Sequence, residues 1–116
     1  MTPKDTALQA AATLDLHKAA NIRAIDVRAI SNIADYCVIA TGTSAPHLKA
    51  LLAHVQARMR ELGVKSHRKS GQPESGWMVL DFVDVVVHLF APEARAYYGI
   101  EKLWQGGVEM DVSNKT

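Results

Sequence analysis

The sequence predicts an α/β fold, a mixed β-sheet sandwiched by helices. Two observations carry that prediction. Segments with helical periodicity alternate with strand-like runs in the order helix, strand, strand, helix, strand, strand, strand, helix. The stretch "WMVLDFVDVVVHLF", residues 77–90, reads as two buried strands joined as an antiparallel hairpin.

The elements follow in order. Thr2 is a helix N-cap, Pro3 suits the first helical position, and Asp5 suits the positive end of the helix dipole. Leu8, Ala12, Leu16 and Ala19 would form the apolar stripe of that helix. "NIRAIDVR" alternates as a first strand, "SNIA" turns the chain, and "DYCVIATG" is an apolar run fit for a central strand. The next helix has the firmest signature. Ser44 caps it, Leu48, Leu51, Leu52, Val55, Met59 and Leu62 keep helical spacing, and Gly63 ends it. "VKSH" is expected as an outer strand and "RKSGQPESG" as a polar loop. After the hairpin, Pro92 opens a short helix that Gly99 breaks before "IEKLW". Residues 1–105 are thus expected to form one domain, and residues 106–116, which lack periodicity, a mobile C-terminal tail.

A chain of 116 residues, 48% hydrophobic and 22% charged, fits a single globular core. No apolar run approaches the roughly 20 residues of a membrane span, and the first residues lack the pattern of a signal or transit peptide. Cys37 is the single cysteine and sits among apolar residues, so it reads as an inert core thiol of a protein in the reducing cytoplasm. Charge is unevenly spread. Residues 44–73 hold six cations against Glu61 alone, a net +5, while the rest of the chain is −4. Two solvated faces would explain this; so would a basic side for RNA and an acidic side for a basic protein.

If the hairpin turns at Val83-Asp84, Phe82 faces Val85, Leu80 faces Val87 and Met78 faces Leu89, an all-apolar core face. The other face carries Trp77, Val79, Asp81, Val86, His88 and Phe90. That mixture suits a docking patch, with aromatic anchors beside orienting polar groups. A terminal helix covering it would instead make Trp77 and Phe90 a second core layer. Asp81 and His88 share this face and could pair only over a diagonal or longer contact. Val83 resists the positive φ of a two-residue turn, so a bulge or longer turn is expected.

Catalytic and metal chemistry find little support. His47 and His54 share a helix face at i, i+7, about 10.5 Å apart along the axis, too far for one zinc ion. "ATGTSAPH" joins a strand to a helix start but lacks the lysine and spacing of a phosphate loop, so it reads as a glycine turn and a serine cap. Asp81 and Asp84 diverge across the turn, and no Ser/His/Asp or Cys/His set is evident. Neither a metal, a cofactor nor a small-molecule substrate is expected.

Three stretches, "SNIADYCVIATGTSAPH", "GWMVLDFVDVVVHLF" and "RAYYGIEKLW", resemble the ribosomal silencing factor family, related to Iojap, over roughly residues 5 to 105. Ser31, Asp35-Tyr36, Val38-Ile39, Thr41-Gly42, Ser44 and His47 meet its first motif. Trp77, Asp81, Asp84-Val85 and Val87-His88 meet the second, and Arg95, Tyr98, Glu101 and Trp104 the third. Val83 stands where a Gly is common, Ser70 where a Glu usually precedes Gly71, and Pro46 where an Arg often precedes His47. The resemblance implies a nucleotidyltransferase-like topology without catalytic acids. It implies docking on ribosomal protein uL-fourteen of the large subunit, steric blocking of subunit joining, and lowered translation when nutrients are scarce. Under it, Trp77, Trp104 and Tyr98 would supply apolar anchors, and Asp81, Glu101 and Arg95 charge complementarity. His88 would be a partner contact or merely a hydrogen-bonded sheet residue. Glu93 could also meet a basic ribosomal protein, and the basic 44–73 segment could lie near ribosomal RNA. The competing readings are a degenerate nucleotidyltransferase that still binds nucleotide at Gly42–Ser44, and a homodimer that uses the same apolar patch on itself.

Overall fold

The computed structural model describes residues 1–112. Its elements are α1 (Pro3–Leu16), β1 (Ala20–Asp26), β2 (Tyr36–Thr41), α2 (Ala45–Glu61), β3 (Arg68–Gln72), β4 (Trp77–Asp81), β5 (Val85–Phe90), α3 (Pro92–Tyr98) and β6 (Val108–Met110). Two 3₁₀ segments, Pro73–Ser75 and Ile100–Trp104, complete the described chain. The strands form one sheet in the order β3-β4-β5-β2-β1-β6. Only the central β2–β5 pair is parallel; every other pair is antiparallel. This is the expected α/β class with a mixed sheet between helical layers.

Both long helices start as their sequences direct. Thr2 Oγ1 accepts from the Asp5 N–H while the Asp5 carboxylate accepts from the Thr2 N–H, each at 3.1 Å, a reciprocal capping box. Ser44 Oγ accepts from the His47 N–H at 3.1 Å. The helices lie together on one face of the sheet. Leu48, Leu51, Leu52, Val55 and Met59 of α2 pack with Val38, Ala40, Leu80, Val87 and Leu89 in the main core. The expected α2 stripe is therefore the buried one. That of α1 is not: Ala7, Ala10, Ala11 and Leu14 face the core, whereas Ala12 is exposed and Leu16 is 73% exposed. Small side chains let α1 lie close to its neighbours, so alanines fix the rotation and the larger Leu8 and Leu16 do not.

Two strands also differ from expectation. The third strand is 68–72, not "VKSH", and all its residues are exposed. It pairs by backbone to β4 at the sheet edge and buries no side chain, so no hydrophobic alternation betrays it. The expected tail contributes β6, which pairs with β1 from Ala24↔Met110 to Asp26↔Val108. Three residues are too few to show a period. Gly107 admits this return, since a Cβ there would lie 2.7 Å from Ile25 Cγ2 and 3.0 Å from Asp26 O. The rest of the expected tail, residues 113–116, falls outside the described residues.

The β4–β5 hairpin has the expected register, with Leu80↔Val87 and Met78↔Leu89. Its turn is tighter than expected. Phe82 N–H donates to Val85 O at 2.8 Å, so only Val83 and Asp84 lie between, and Asp84 N–H reaches Phe82 O at 3.0 Å. The geometry forces φ = +74° on Val83, a β-branched residue where glycine is favoured. The Asp81 carboxylate accepts from the Val83 N–H at 2.7 Å and helps hold that turn. A left-handed L-residue costs about 1–2 kcal/mol, and Val83 is 55% exposed, so its side chain gains little in return. Val83→Gly should therefore raise unfolding free energy by about 0.5–1 kcal/mol after glycine's extra unfolded freedom is subtracted. Urea denaturation of the two proteins checks this; an unchanged or lower midpoint would mean the turn is not strained.

Candidate functional site

Alternation along β4 and β5 sends Trp77, Val79 and Asp81, with Val86, His88 and Phe90, to the face opposite the two long helices. Beside them β2 contributes Cys37, Ile39 and Thr41 through the parallel pairs Cys37↔Val86, Ile39↔His88 and Thr41↔Phe90. α3 and the 3₁₀ segment Ile100–Trp104 close over this face. Pro92 starts α3, and Gly99 at φ = +55° ends it and redirects the chain.

The result is a row of rings. Tyr97 meets Tyr98 edge-on at 5.1 Å between centroids, and Tyr98 meets Trp77 at 4.7 Å. Trp77 stacks on Phe90 at 5.0 Å, and Trp104 tilts against His88 at 5.5 Å. Phe90 is fully buried and His88 nearly so, as the covered-face reading requires; Trp77 and Trp104 are half-buried. The outer end stays open, with Tyr98 50% and Tyr97 83% exposed, and Leu103 projects from the 3₁₀ segment. Trp104 also covers Ile25, Val27 and Cys37, a small second core. Burial pushes the Cys37 thiol up to about 11, which leaves it inert. Between the Trp77–Tyr98 pair and β3 lies a depression of about 240 Å³ floored by Val79 and Gly71.

The Trp77 indole N–H donates to His88 Nδ1 at 3.3 Å, so His88 carries its proton on Nε2. Burial pushes the His88 pKa down to about 4. His88 is thus a sheet residue satisfied by Trp77, not by Asp81, whose carboxylate faces the Val83 turn at the far end of β4.

The charges expected to meet a partner are turned inward. Arg95, 11% exposed, donates to both Glu101 carboxylate oxygens at 2.9 and 3.2 Å. It also donates to Asn21 O at 2.7 Å and Thr41 Oγ1 at 2.8 Å. Glu101 accepts a further ion pair from Arg23, which reaches across to Glu109 of β6 at 2.7 Å. Arg95, with Arg23 in support, outweighs burial and holds the Glu101 carboxyl down at about 2. Glu109 first, then Glu101, push the Arg23 pKa up. Arg95 and Glu101 therefore fasten α3 and the 3₁₀ segment to β1 and β2. Glu93 alone of the expected acids is exposed and without an ion pair among the described residues.

Sequence reasoning missed Arg23, Tyr97 and Leu103. Tyr97 and Leu103 lay inside the quoted "RAYYGIEKLW", but only the finished helix shows which side faces outward. His54 stacks on His17 at 3.5 Å, and burial first, then the charge of His54, lower the His17 pKa. At the other candidate site two backbone donors are occupied: Gly42 N–H donates to Phe90 O at 2.9 Å and Thr43 N–H to His47 Nδ1 at 3.0 Å. A Cβ on Gly42 would lie 2.8 Å from Leu48 Cδ2, so this glycine serves helix packing. No helix among the described residues is long and apolar enough to cross a membrane.

Fold and face together define an α/β protein of the mixed-sheet class with one ring-lined, partly open surface. The comparisons then give its family. The sequence profile named "Ribosomal silencing factor during starvation", RsfS, matches residues 1–116, and the chain belongs to that family. It is 36% identical over 104 residues to the ribosomal silencing factor RsfS of Bacillus subtilis, covering 90% of this chain and 88% of that one. A mouse protein named for mitochondrial assembly of the ribosomal large subunit is 37% identical over 73 residues, 60% of this chain and 32% of its own length. Among solved structures, a Chromobacterium violaceum protein superimposes with a TM-score of 0.87 at 32% identity, over 100% of this chain and 94% of that one.

The His88 pocket makes a pH prediction. The unfolded chain protonates His88 near 6.5, the folded protein only near 4, so stability is full above 6.5 and falls as pH drops from 6.5 to 4. At about 1.4 kcal/mol per pH unit the gap amounts to about 3 kcal/mol. Glu101 acts lower, its contribution being lost between 4.5 and about 2. Urea unfolding between pH 7.5 and 4.5, followed by tryptophan fluorescence, should show the loss in the native protein and a flatter profile in His88→Gln. Parallel profiles would exclude His88 as the source.

Proposed function

We propose that this chain is a non-catalytic docking factor that occupies ribosomal protein uL-fourteen on the large ribosomal subunit. Seated there it blocks the small subunit from joining and represses translation when nutrients are limited. The observation that carries the reading is the open end of the ring row. Tyr97, Tyr98 and Leu103 expose apolar surface, and Tyr98 with Trp77 borders a depression, the form of an anchor-and-pocket interface. Family membership directs that surface toward the ribosome, since relatives are named ribosomal silencing factors. The same surface suits occupancy better than chemistry: its polar groups are paired with one another, and His88 is covered.

The seven residues the motifs nominate divide by role in this reading. Tyr98 is the direct contact, with Trp77 and Trp104 as half-open anchors behind it. His88, Arg95 and Glu101 position those anchors, and Asp81 shapes the hairpin end. Tyr97, Leu103 and Glu93 join the contact surface.

Tyr98→Ala should weaken binding to isolated large subunits by about thirtyfold, the effect of a central anchor worth about 2 kcal/mol. Co-sedimentation of the purified protein with large subunits, with and without added small subunits, measures both binding and exclusion. Full affinity in a folded Tyr98→Ala protein would remove Tyr98 from the interface. Binding that leaves subunit joining unaffected at saturation would overturn the blocking mechanism.

A further inference from the structure

On the sheet face opposite the rings, α2 and the edge strand β3 enclose a groove of about 530 Å³ that continues past Gln56 into a second hollow of about 400 Å³. Lys49, Ala53, Gln56 and Arg60 line it from α2 at i, i+4, i+7 and i+11, one stripe of the helix. Lys69 projects from β3 on the α2 side, the face it shares with its partner Leu80, and Lys65 precedes that strand. The Gln56 amide donates to Ser66 Oγ at 3.3 Å and ties the two walls together.

Among the described residues these four cations are left without an ion-pair partner. Arg58, one residue pair away, takes Glu61 at 3.9 Å; Lys49, Arg60, Lys65 and Lys69 make no ion pair among the described residues. A single acid, Glu74, stands on the groove wall. Lys49 and Arg60 are eleven residues apart, about 16 Å along the helix axis, so the charge is drawn out along a line. β3 is bonded on one side only, and alternate backbone N–H groups of such an edge face outward as further donors. The groove also lacks anchors for a peptide: every large hydrophobic exposed on the described surface lies elsewhere. Unpaired cations in a line, with backbone donors and no large exposed apolar side chain, match a chain of phosphates better than an acidic protein.

We propose that the α2–β3 groove binds the phosphate backbone of RNA, independently of the ring face. Ribosomal RNA is the strand that the proposed docking would bring within reach, and to that extent the physiological partner rests on that reading. Neutralising phosphates releases counterions, so the affinity is steeply salt-dependent.

The test uses a fluorescein-labelled twelve-nucleotide uridine RNA and the full-length protein, followed by anisotropy between 25 and 200 mM KCl, and needs no ribosome. Four neutralised phosphates predict a slope of log affinity against log salt near −3. Lys49→Gln/Lys69→Gln, both on exposed side chains, should flatten that slope to about −1.5 and lower affinity at least fivefold at 50 mM salt. Lys4→Gln/Lys102→Gln, outside the groove, and Tyr98→Ala should leave both unchanged. No binding at 25 mM salt, or an equal loss in the control pair, would overturn the groove. Equal competition by poly-glutamate would assign it to an acidic protein instead. Loss of RNA binding in Lys49→Gln/Lys69→Gln with large-subunit docking intact keeps the two surfaces distinct. An RNA-binding protein that ignores large subunits would sink the docking reading alone.

Discussion

The ion pair between Arg95 and Glu101 is the constraint on which the second face of the sheet depends. α3 and the 3₁₀ segment after it contain no fully buried residue, so hydrophobic burial alone holds them weakly. Arg95 supplies the missing attachment. Its guanidinium meets a carboxylate, a backbone carbonyl of β1 and a hydroxyl of β2 at once, which offsets the cost of desolvating it. Arg23 repeats the arrangement one strand further, tying Glu101 to β6 through Glu109. Trp104 then lies over Cys37 and His88, and Tyr98 over Trp77, because their backbone is already fixed.

This arrangement explains what the sequence could and could not disclose. The hairpin register was legible because both strands alternate and one face is wholly apolar, so a slip by one residue would turn the slipped strand's three core side chains to the other face. α2 was legible for the same reason at helical spacing. Strand β3 was not, because it buries nothing, and β6 was too short to show a period. α1 was recognised but rotated wrongly, since alanine carries no strong signal of which side faces inward. The site divided along the same line. Rings announce apolar surface wherever they stand, and Trp77, Tyr98 and Trp104 do come together. A charge gives no hint of its partner, so Arg95 and Glu101, which neutralise each other, looked like groups awaiting one.

Val83 shows how local strain can be tolerated at this end of the sheet. The turn places a β-branched residue at positive φ, yet the neighbouring Asp81 carboxylate and Asp84 carbonyl each hold backbone N–H groups around it, the latter accepting from Asp35 and Tyr36. The strain is confined to one exposed position and does not reach the rings at the opposite end of β4.

The two candidate surfaces therefore differ in kind as well as in place. At the ring face the strongest charges are cancelled inside the fold, leaving apolar area and a shallow depression whose contacts are little screened by salt. At the α2–β3 groove the cations remain uncancelled and the apolar side chains point into the core. The ring face owes its shape to internal ion pairs, whereas the groove's charge is available because such pairs are missing there. A protein with a net charge of only +1 can thus offer one surface governed by burial and another governed by electrostatics, with the sheet between them.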